Sequence, residues 1–133
     1  MNIGQAAKQS SVSAKTIRYY ESIGLVAPAS RTENGYRTYS ENDVQTLRFI
    51  HHARSLGFSV KDVSMLLDLW RNQRRASADV KALAMAHVAA VDHKIAELRR
   101  MRDTLLDLTH RCHGDDRPDC PIIEGLAGEA VDA

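Results

Sequence analysis

From Asp79 to about Thr109 the chain contains neither glycine nor proline, the two residues least favourable inside a helix. Within this stretch Val88, Val91, Ile95, Leu98 and Leu105 advance in the alternating three- and four-residue steps of a coiled-coil seam, with Arg102 interrupting one slot. A helix of about 30 residues is about 45 Å long. The residues ahead of it are too few to cover such a helix along its length, so the seam needs a partner. A second copy of the chain, antiparallel or parallel, satisfies it. Folding back over the head is the alternative.

A chain of 133 residues has room for one compact head and this helical extension. No apolar run approaches the roughly 20 residues that span a bilayer, and MNIGQAAKQS has neither the basic nor the apolar region of a secretory signal. The expected location is the cytoplasm, with no membrane partner. Net charge is only +1, but it is unevenly spread. Residues 1–70 hold eight Lys and Arg against six acids, residues 71–111 nine against five, and the tail from 112 one against six. An acidic tail thus masks a basic body, which leaves contact with phosphates open.

The head reads as short helices with clear starts and stops. Ile3, Ala6 and Ala7 make the apolar side of a first helix, which Ser10-Ser11 interrupts. Ser13 is a natural N-cap for a second helix from about Ala14, with Ile17 facing inward and Gly24 at the left-handed stop. Two helices with a polar break match a helix-turn-helix. Asn34-Gly35 predicts a type I′ hairpin turn between Arg31-Thr32-Glu33 and Tyr36-Arg37-Thr38, a small wing. Ser40 opens a third helix carrying Val44, Leu47, Phe49, Ile50 and Ala53, which Gly57 ends. Ser59 opens a fourth carrying Val63, Leu66, Leu67, Leu69 and Trp70.

The only two cysteines lie in CHGDDRPDC, Cys112 and Cys120. A disulfide, a metal clamp and chance all account for such a pair, and a reducing cytosol weakens the first. His110 and His113 flank Cys112, so a four-ligand zinc site can be assembled on paper from His110, Cys112, His113 and Cys120. A thiol redox switch is a further reading of the same pair. PIIEGLAG follows as a short amphipathic helix or turn, and the final EAVDA reads as frayed. No nucleophile elbow, phosphate loop or paired-carboxylate arrangement stands out, so no enzyme chemistry is expected.

The order of VSAKTIRYYESIGL, RTENGYRTYSENDV and GFSVKDVSMLL resembles the MerR family of winged-helix transcription regulators. The two cysteines followed by PII, with SADVK at 77–81, resemble its monovalent-metal, copper-efflux branch. The resemblance implies a mainly α fold. A winged helix-turn-helix head (1–70) and a connection (71–78) would precede a dimerisation helix forming an antiparallel coiled coil (79–110). A metal-binding loop with a short C-terminal helix and tail (111–133) would follow. It implies a homodimer on a pseudo-palindrome in double-stranded promoter DNA whose spacer is longer than RNA polymerase prefers. Effector binding would then distort the DNA and switch repression to activation.

For DNA, the second helix offers Lys15, Arg18, Tyr19 and Tyr20, and the family pattern matches at Arg18, Tyr20, Arg31, Tyr36 and Arg37. Such side chains mostly position the protein on phosphates, and a subset reads bases. A short helix cannot expose both adjacent tyrosines, so one of them belongs to the core. Arg54 is either a backbone contact or a surface salt bridge. For metal, Cys112 and Cys120 are soft donors suited to Cu(I), Ag(I) or Au(I). The resemblance points to Lys81 and the start of the long helix as compensation for the residual negative charge. Ser77 stands where divalent-metal relatives carry a third thiolate, and it is also an N-cap candidate for the long helix.

Overall fold

Four helices, each opened by a side-chain cap, and a two-stranded ribbon build the first of two compact units, Met1–Leu83 and Ala84–Ala133. This computed structural model describes residues 1–128, so the frayed reading of EAVDA lies outside the described residues. Helix α1 (Ile3–Ser10) starts in a capping box of Asn2 and Gln5. The chain then turns through Ser11, which adopts left-handed φ 62°, while buried Ser10 accepts the Val12 N–H at 3.2 Å. Helix α2 (Ala14–Ser22) begins at the expected cap, Ser13, which accepts the Thr16 N–H at 3.1 Å.

Helix α2 ends in a Schellman motif. The Leu25 N–H reaches the Tyr20 carbonyl at 3.0 Å and the Gly24 N–H reaches Glu21 at 3.2 Å, with Gly24 at φ 76°. Helix α3 (Glu41–Ser55) repeats this ending through Gly57, with Phe58 bonded back to Ala53 at 3.3 Å. In both cases the two residues that meet across the stop are buried, Leu25 with Tyr20 and Phe58 with Ala53. Each stop is thus fixed by its hydrogen bonds and by the core. Helix α4 (Val60–Arg71) starts at Ser59 and buries Val63 and Leu67. The core joins Ala6, Val12, Ile17, Tyr20, Val44, Leu47 and Ile50 to these residues. Phe49 and Trp70, half-buried and exposed respectively, stack at 4.5 Å between ring centroids.

The wing differs from the sequence expectation. Strands β1 (Ser30–Arg31) and β2 (Arg37–Thr38) pair antiparallel, Ser30 with Thr38 and Arg31 with Arg37. The Thr32 N–H bonds to the Tyr36 carbonyl at 2.7 Å and the Gly35 N–H to Thr32 at 2.9 Å, leaving a three-residue loop. Only Gly35 is left-handed there, at φ 82°, so this is a tight turn followed by a left-handed bulge rather than a type I′ turn. Glu33 belongs to the loop, not to a strand.

Helix α5 (Ser77–Arg111) is longer than the expected segment, and Ser77 is its first residue instead of its N-cap. Leu108 is its one buried residue, while Met85, Val88, Val91, Ile95, Leu98, Met101, Leu105 and Leu106 are all exposed. In the second unit helix α6 (Pro121–Ala127) lies close against Leu108. A Cβ at Gly125 would stand 3.0 Å from the Leu108 side chain, so glycine sets that approach. No helix among the described residues is long and apolar enough to cross a membrane.

Replacing Gly24 with alanine puts a Cβ on a left-handed residue in otherwise open space, so backbone strain alone should cost about 1–2 kcal/mol. Urea unfolding of Gly24→Ala measures it, and an unchanged midpoint would contradict the strain.

Candidate functional site

Helix α2 sorts its side chains by the helical period. Ile17, Tyr20 and Glu21 fall at i, i+3 and i+4 and turn inward, while Lys15, Arg18 and Tyr19 are exposed. The adjacent tyrosines divide accordingly: Tyr19 is 53% exposed and Tyr20 only 7%. The expectation for Tyr20 is corrected to that extent, because its ring belongs to the core, where it completes the stop of α2. Arg18 lines one open cleft with Tyr36 and Arg37 of the wing and with Asn2 and Ile3. Arg31 and Tyr36 are exposed, and Arg31 Nη1 approaches the Gly35 carbonyl at 3.4 Å.

Glu21 holds these pieces together, and the sequence reading passed over it. Its side chain is 7% exposed; Oε2 accepts from Arg37 Nη1 at 3.2 Å and Oε1 from the Tyr39 hydroxyl at 2.5 Å. A buried carboxylate needs such partners. Here they tie the last turn of α2 to the second strand of the wing. Arg37 therefore spends one donor on positioning and keeps the rest of a half-exposed guanidinium for other contacts. Burial and the Glu21 carboxylate push the Tyr39 phenol from 10.0 to about 12, against the pull of Arg37. The signal was available in the sequence as an acid on the inward stripe of an amphipathic helix.

Arg54 is exposed and makes no salt bridge among the described residues. Its Nη1 donates to the Phe58 carbonyl at 2.6 Å and closes the corner between α3 and α4. Arg48 Nε likewise reaches the Gln9 carbonyl at 2.9 Å, fastening α3 to the end of α1.

The thiol pair is assembled by the end of α5 and the start of α6. Cys112 follows the last residue of α5, and Cys120 occupies the N-cap position of α6. Between them Gly114 turns through φ 67°, and Asp115 accepts the Arg117 N–H at 3.0 Å and pairs with its Nε at 2.9 Å. The chain doubles back, and the two sulfurs stand 3.3 Å apart as free thiols. Among the described residues no group of three or more His, Cys, Asp and Glu side chains is gathered to hold a metal ion. His110 and His113 are exposed and do not complete the four-ligand zinc set. Ser77 and Lys81 are exposed in the first turns of α5.

The two sulfurs are not equivalent. At Cys120 the Ile123 N–H, Cys112 and the Ile122 N–H draw the pKa down against burial and Glu124. At Cys112 the Gly114 N–H pulls downward, but Cys120, burial and Asp115 together outweigh it and raise the thiol. Cys120 is therefore the more readily ionised of the two and Cys112 the less. With metal–thiolate bonds of about 2.3 Å, sulfurs at 3.3 Å lie within reach of a single ion. The donor set is soft, small in number and suited to a soft cation.

Two family models match the chain: MerR HTH family regulatory protein over residues 1–70, and MerR, DNA binding, over residues 44–108. It is 61% identical over 127 residues to heavy metal-dependent transcription regulator 2 of Rhizobium meliloti, covering 96% of this chain and 86% of that protein. It is 45% identical over 128 residues to the HTH-type transcriptional regulator CueR of Salmonella typhimurium, covering 96% and 93%. Among solved structures it is similar to the transcription regulator PbrR691 of Ralstonia metallidurans in complex with lead(II). That match has a TM-score of 0.81 at 34% identity, over 96% of this chain and 99% of that one.

Iodoacetamide at neutral pH should modify Cys120 ahead of Cys112, which peptide mass mapping at partial labelling reads directly; the reverse order contradicts the easier ionisation of Cys120. For Tyr39, the folded state holds its proton more tightly than the unfolded chain does. Stability present below pH 10.0 is then lost as pH climbs towards about 12. Tyr39→Phe should flatten that decline relative to the parent in unfolding measured across the same range.

Proposed function

The chain belongs to the MerR family of regulators and is a metal-responsive transcription regulator rather than an enzyme; from that premise we propose that its effector is a monovalent soft ion. Cu(I) is the leading candidate, with Ag(I) or Au(I) in the same place, held by Cys112 and Cys120. The observation that carries this reading is the thiol pair at 3.3 Å with no third ligand gathered among the described residues. Two soft donors satisfy a d¹⁰ monovalent ion, whereas zinc ordinarily takes four. Ser77, exposed and a poor ligand, supports the same choice.

The working unit is a homodimer joined through α5 as an antiparallel coiled coil, which covers the exposed stripe from Val88 to Leu105. Antiparallel pairing brings the first turns of one α5 towards the last turn of the other. Ser77 and Lys81 of one protomer then approach the thiol pair of its partner. Two thiolates with one monovalent cation leave a single negative charge, which Lys81 and the positive end of the helix offset.

Each head docks on promoter DNA through Lys15, Arg18 and Tyr19 of α2 and Arg31, Tyr36 and Arg37 of the wing. The bound ion would join the two sulfurs and neutralise one of their charges. Deforming a promoter costs several kcal/mol. An effector shifts the balance between two DNA-bound states only by its differential affinity for them. RNA polymerase reads the outcome as a change in promoter register.

Anaerobic titration with Cu(I), followed by X-ray absorption, should find one ion per chain held by two sulfurs. Cys112→Ser and Cys120→Ser should abolish metal-stimulated transcription while retaining salt-sensitive DNA binding. Three or more ligands on the ion, or a response to zinc instead, would overturn the assignment.

A further inference from the structure

Metal capture uses the lone pairs of Cys112 and Cys120, but their placement has a second chemical consequence. The sulfurs are free, both side chains are partly exposed, and the separation is 3.3 Å. A disulfide has S–S of about 2.05 Å, so closure needs an approach of only about 1.2 Å. The backbone between them can supply it. Residues 113–119 are all exposed, contain no regular element and are braced by the Asp115–Arg117 contacts. Most of the entropy of bringing two thiols together has already been spent by the fold.

We propose that Cys112 and Cys120 also form a peroxide-responsive two-electron switch, in which an intrachain disulfide makes the regulator blind to metal until a dithiol reduces it. This rests on the reading of the pair as the metal site, because the consequence of closure is the loss of both ligands. The oxidant is a hydroperoxide. One cysteine sulfur attacks an oxygen of the peroxide, the O–O bond breaks, and a sulfenic acid forms as water (or an alcohol) departs. The second sulfur then attacks the sulfenic sulfur, the S–S bond forms, and a second water leaves with the remaining proton. Two electrons pass from the two thiols to the peroxide, and the products are one disulfide, one water from the sulfenic acid and one water (or alcohol) from the peroxide. With the resolving sulfur already at 3.3 Å, the second step outruns further oxidation to sulfinic acid.

Metal and oxidant therefore compete for the same two atoms. A bound ion occupies the lone pairs that would attack peroxide, and a disulfide presents no thiolate to an ion. Metal loading should protect the pair, and oxidation should silence it.

The test uses the reduced full-length protein, hydrogen peroxide in small excess, and Ag(I) as a metal probe that does not cycle between oxidation states. Intact mass should fall by about 2 Da, the loss of two hydrogens, and peptide mapping should join Cys112 to Cys120 within one chain. Ag(I) uptake should drop from one equivalent per chain to none and return in full after dithiothreitol. Preloading with Ag(I) should prevent the mass change. In either single variant, Cys112→Ser or Cys120→Ser, peroxide should instead leave a sulfenic acid at the remaining cysteine that dimedone traps. Sulfinic or sulfonic products on the parent, interchain disulfides only, or unaltered Ag(I) uptake after oxidation would each overturn the switch. If the reduced protein takes up no Ag(I), the metal reading fails and the metal-blinding switch fails with it. Normal Ag(I) uptake without disulfide formation sinks the switch alone.

Discussion

Helix α5 has 35 residues and buries one of them within the chain. Along it Val88, Val91, Ile95, Leu98 and Leu105 keep the seam spacing seen in the sequence, with Met85, Met101 and Leu106 beside them, all exposed. Full burial of such a side chain is worth roughly 1.5–3 kcal/mol, and most helical stability in proteins comes from packing an apolar face, not from propensity. The Lys94–Glu97 and Arg111–Asp107 pairs along the helix are solvent-exposed contacts that contribute little. A helix of this length with an uncovered stripe calls for a second surface, and in the proposed homodimer a copy of itself would supply the matching period. Arg102 fits that account: it interrupts the seam and pairs with Asp103 at 3.2 Å, a polar break of the kind that fixes register at a cost in stability.

The head meets a different demand. On the proposed function the head would have to hold its shape while it deforms DNA, because a yielding wing would absorb part of the deformation energy. A two-stranded ribbon is marginal by itself. Glu21 answers this by joining Arg37 and Tyr39 to the end of α2 through a buried carboxylate. Burying that charge is expensive, and a charge-free packing of the same volume would often be as stable. What the ionic arrangement adds is direction. Arg37 is held where it lines the cleft with Arg18 and Tyr36, so the donors from helix and wing face one groove.

The helices and their limits were largely legible in the sequence because they follow local rules. Ser13, Ser40 and Ser59 all serve as the caps the sequence indicates, and Gly24 and Gly57 stop their helices in the left-handed conformation expected of them. The wing turn was misread because Asn34-Gly35 suits two loop lengths, and the choice between them rests on the non-local pairing of Arg31 with Arg37. Tyr19 and Tyr20 were indistinguishable by type and are separated only by the 100° that divides neighbours on a helix. Glu21 was hidden for a related reason. Its partners lie 16 and 18 residues away across a turn, and nothing local announces which cation or hydroxyl a buried acid will find. The cysteine pair was visible as a pair, but neither the 3.3 Å between its sulfurs nor the close packing of Gly125 against Leu108 could be read there, since no motif encodes that contact.

That contact gives the thiol pair its leverage. Cys112 hangs from the end of α5 and Cys120 from the start of α6, so any bond between the sulfurs also fastens α6 to the helix that carries Leu108. An ion and a disulfide would tie the same two points, yet they differ in charge. The pair bridged by a monovalent cation retains one negative charge; the disulfide retains none. A nearby ammonium group therefore distinguishes them, since a lysine gains Coulomb energy from the first and nothing from the second. If the pair binds a monovalent ion and also closes as a disulfide, as proposed, mechanical closure alone would be an incomplete signal, and the residual charge on the metal-bound pair would separate the two outcomes. Lys81 is the lysine on which such a distinction would act.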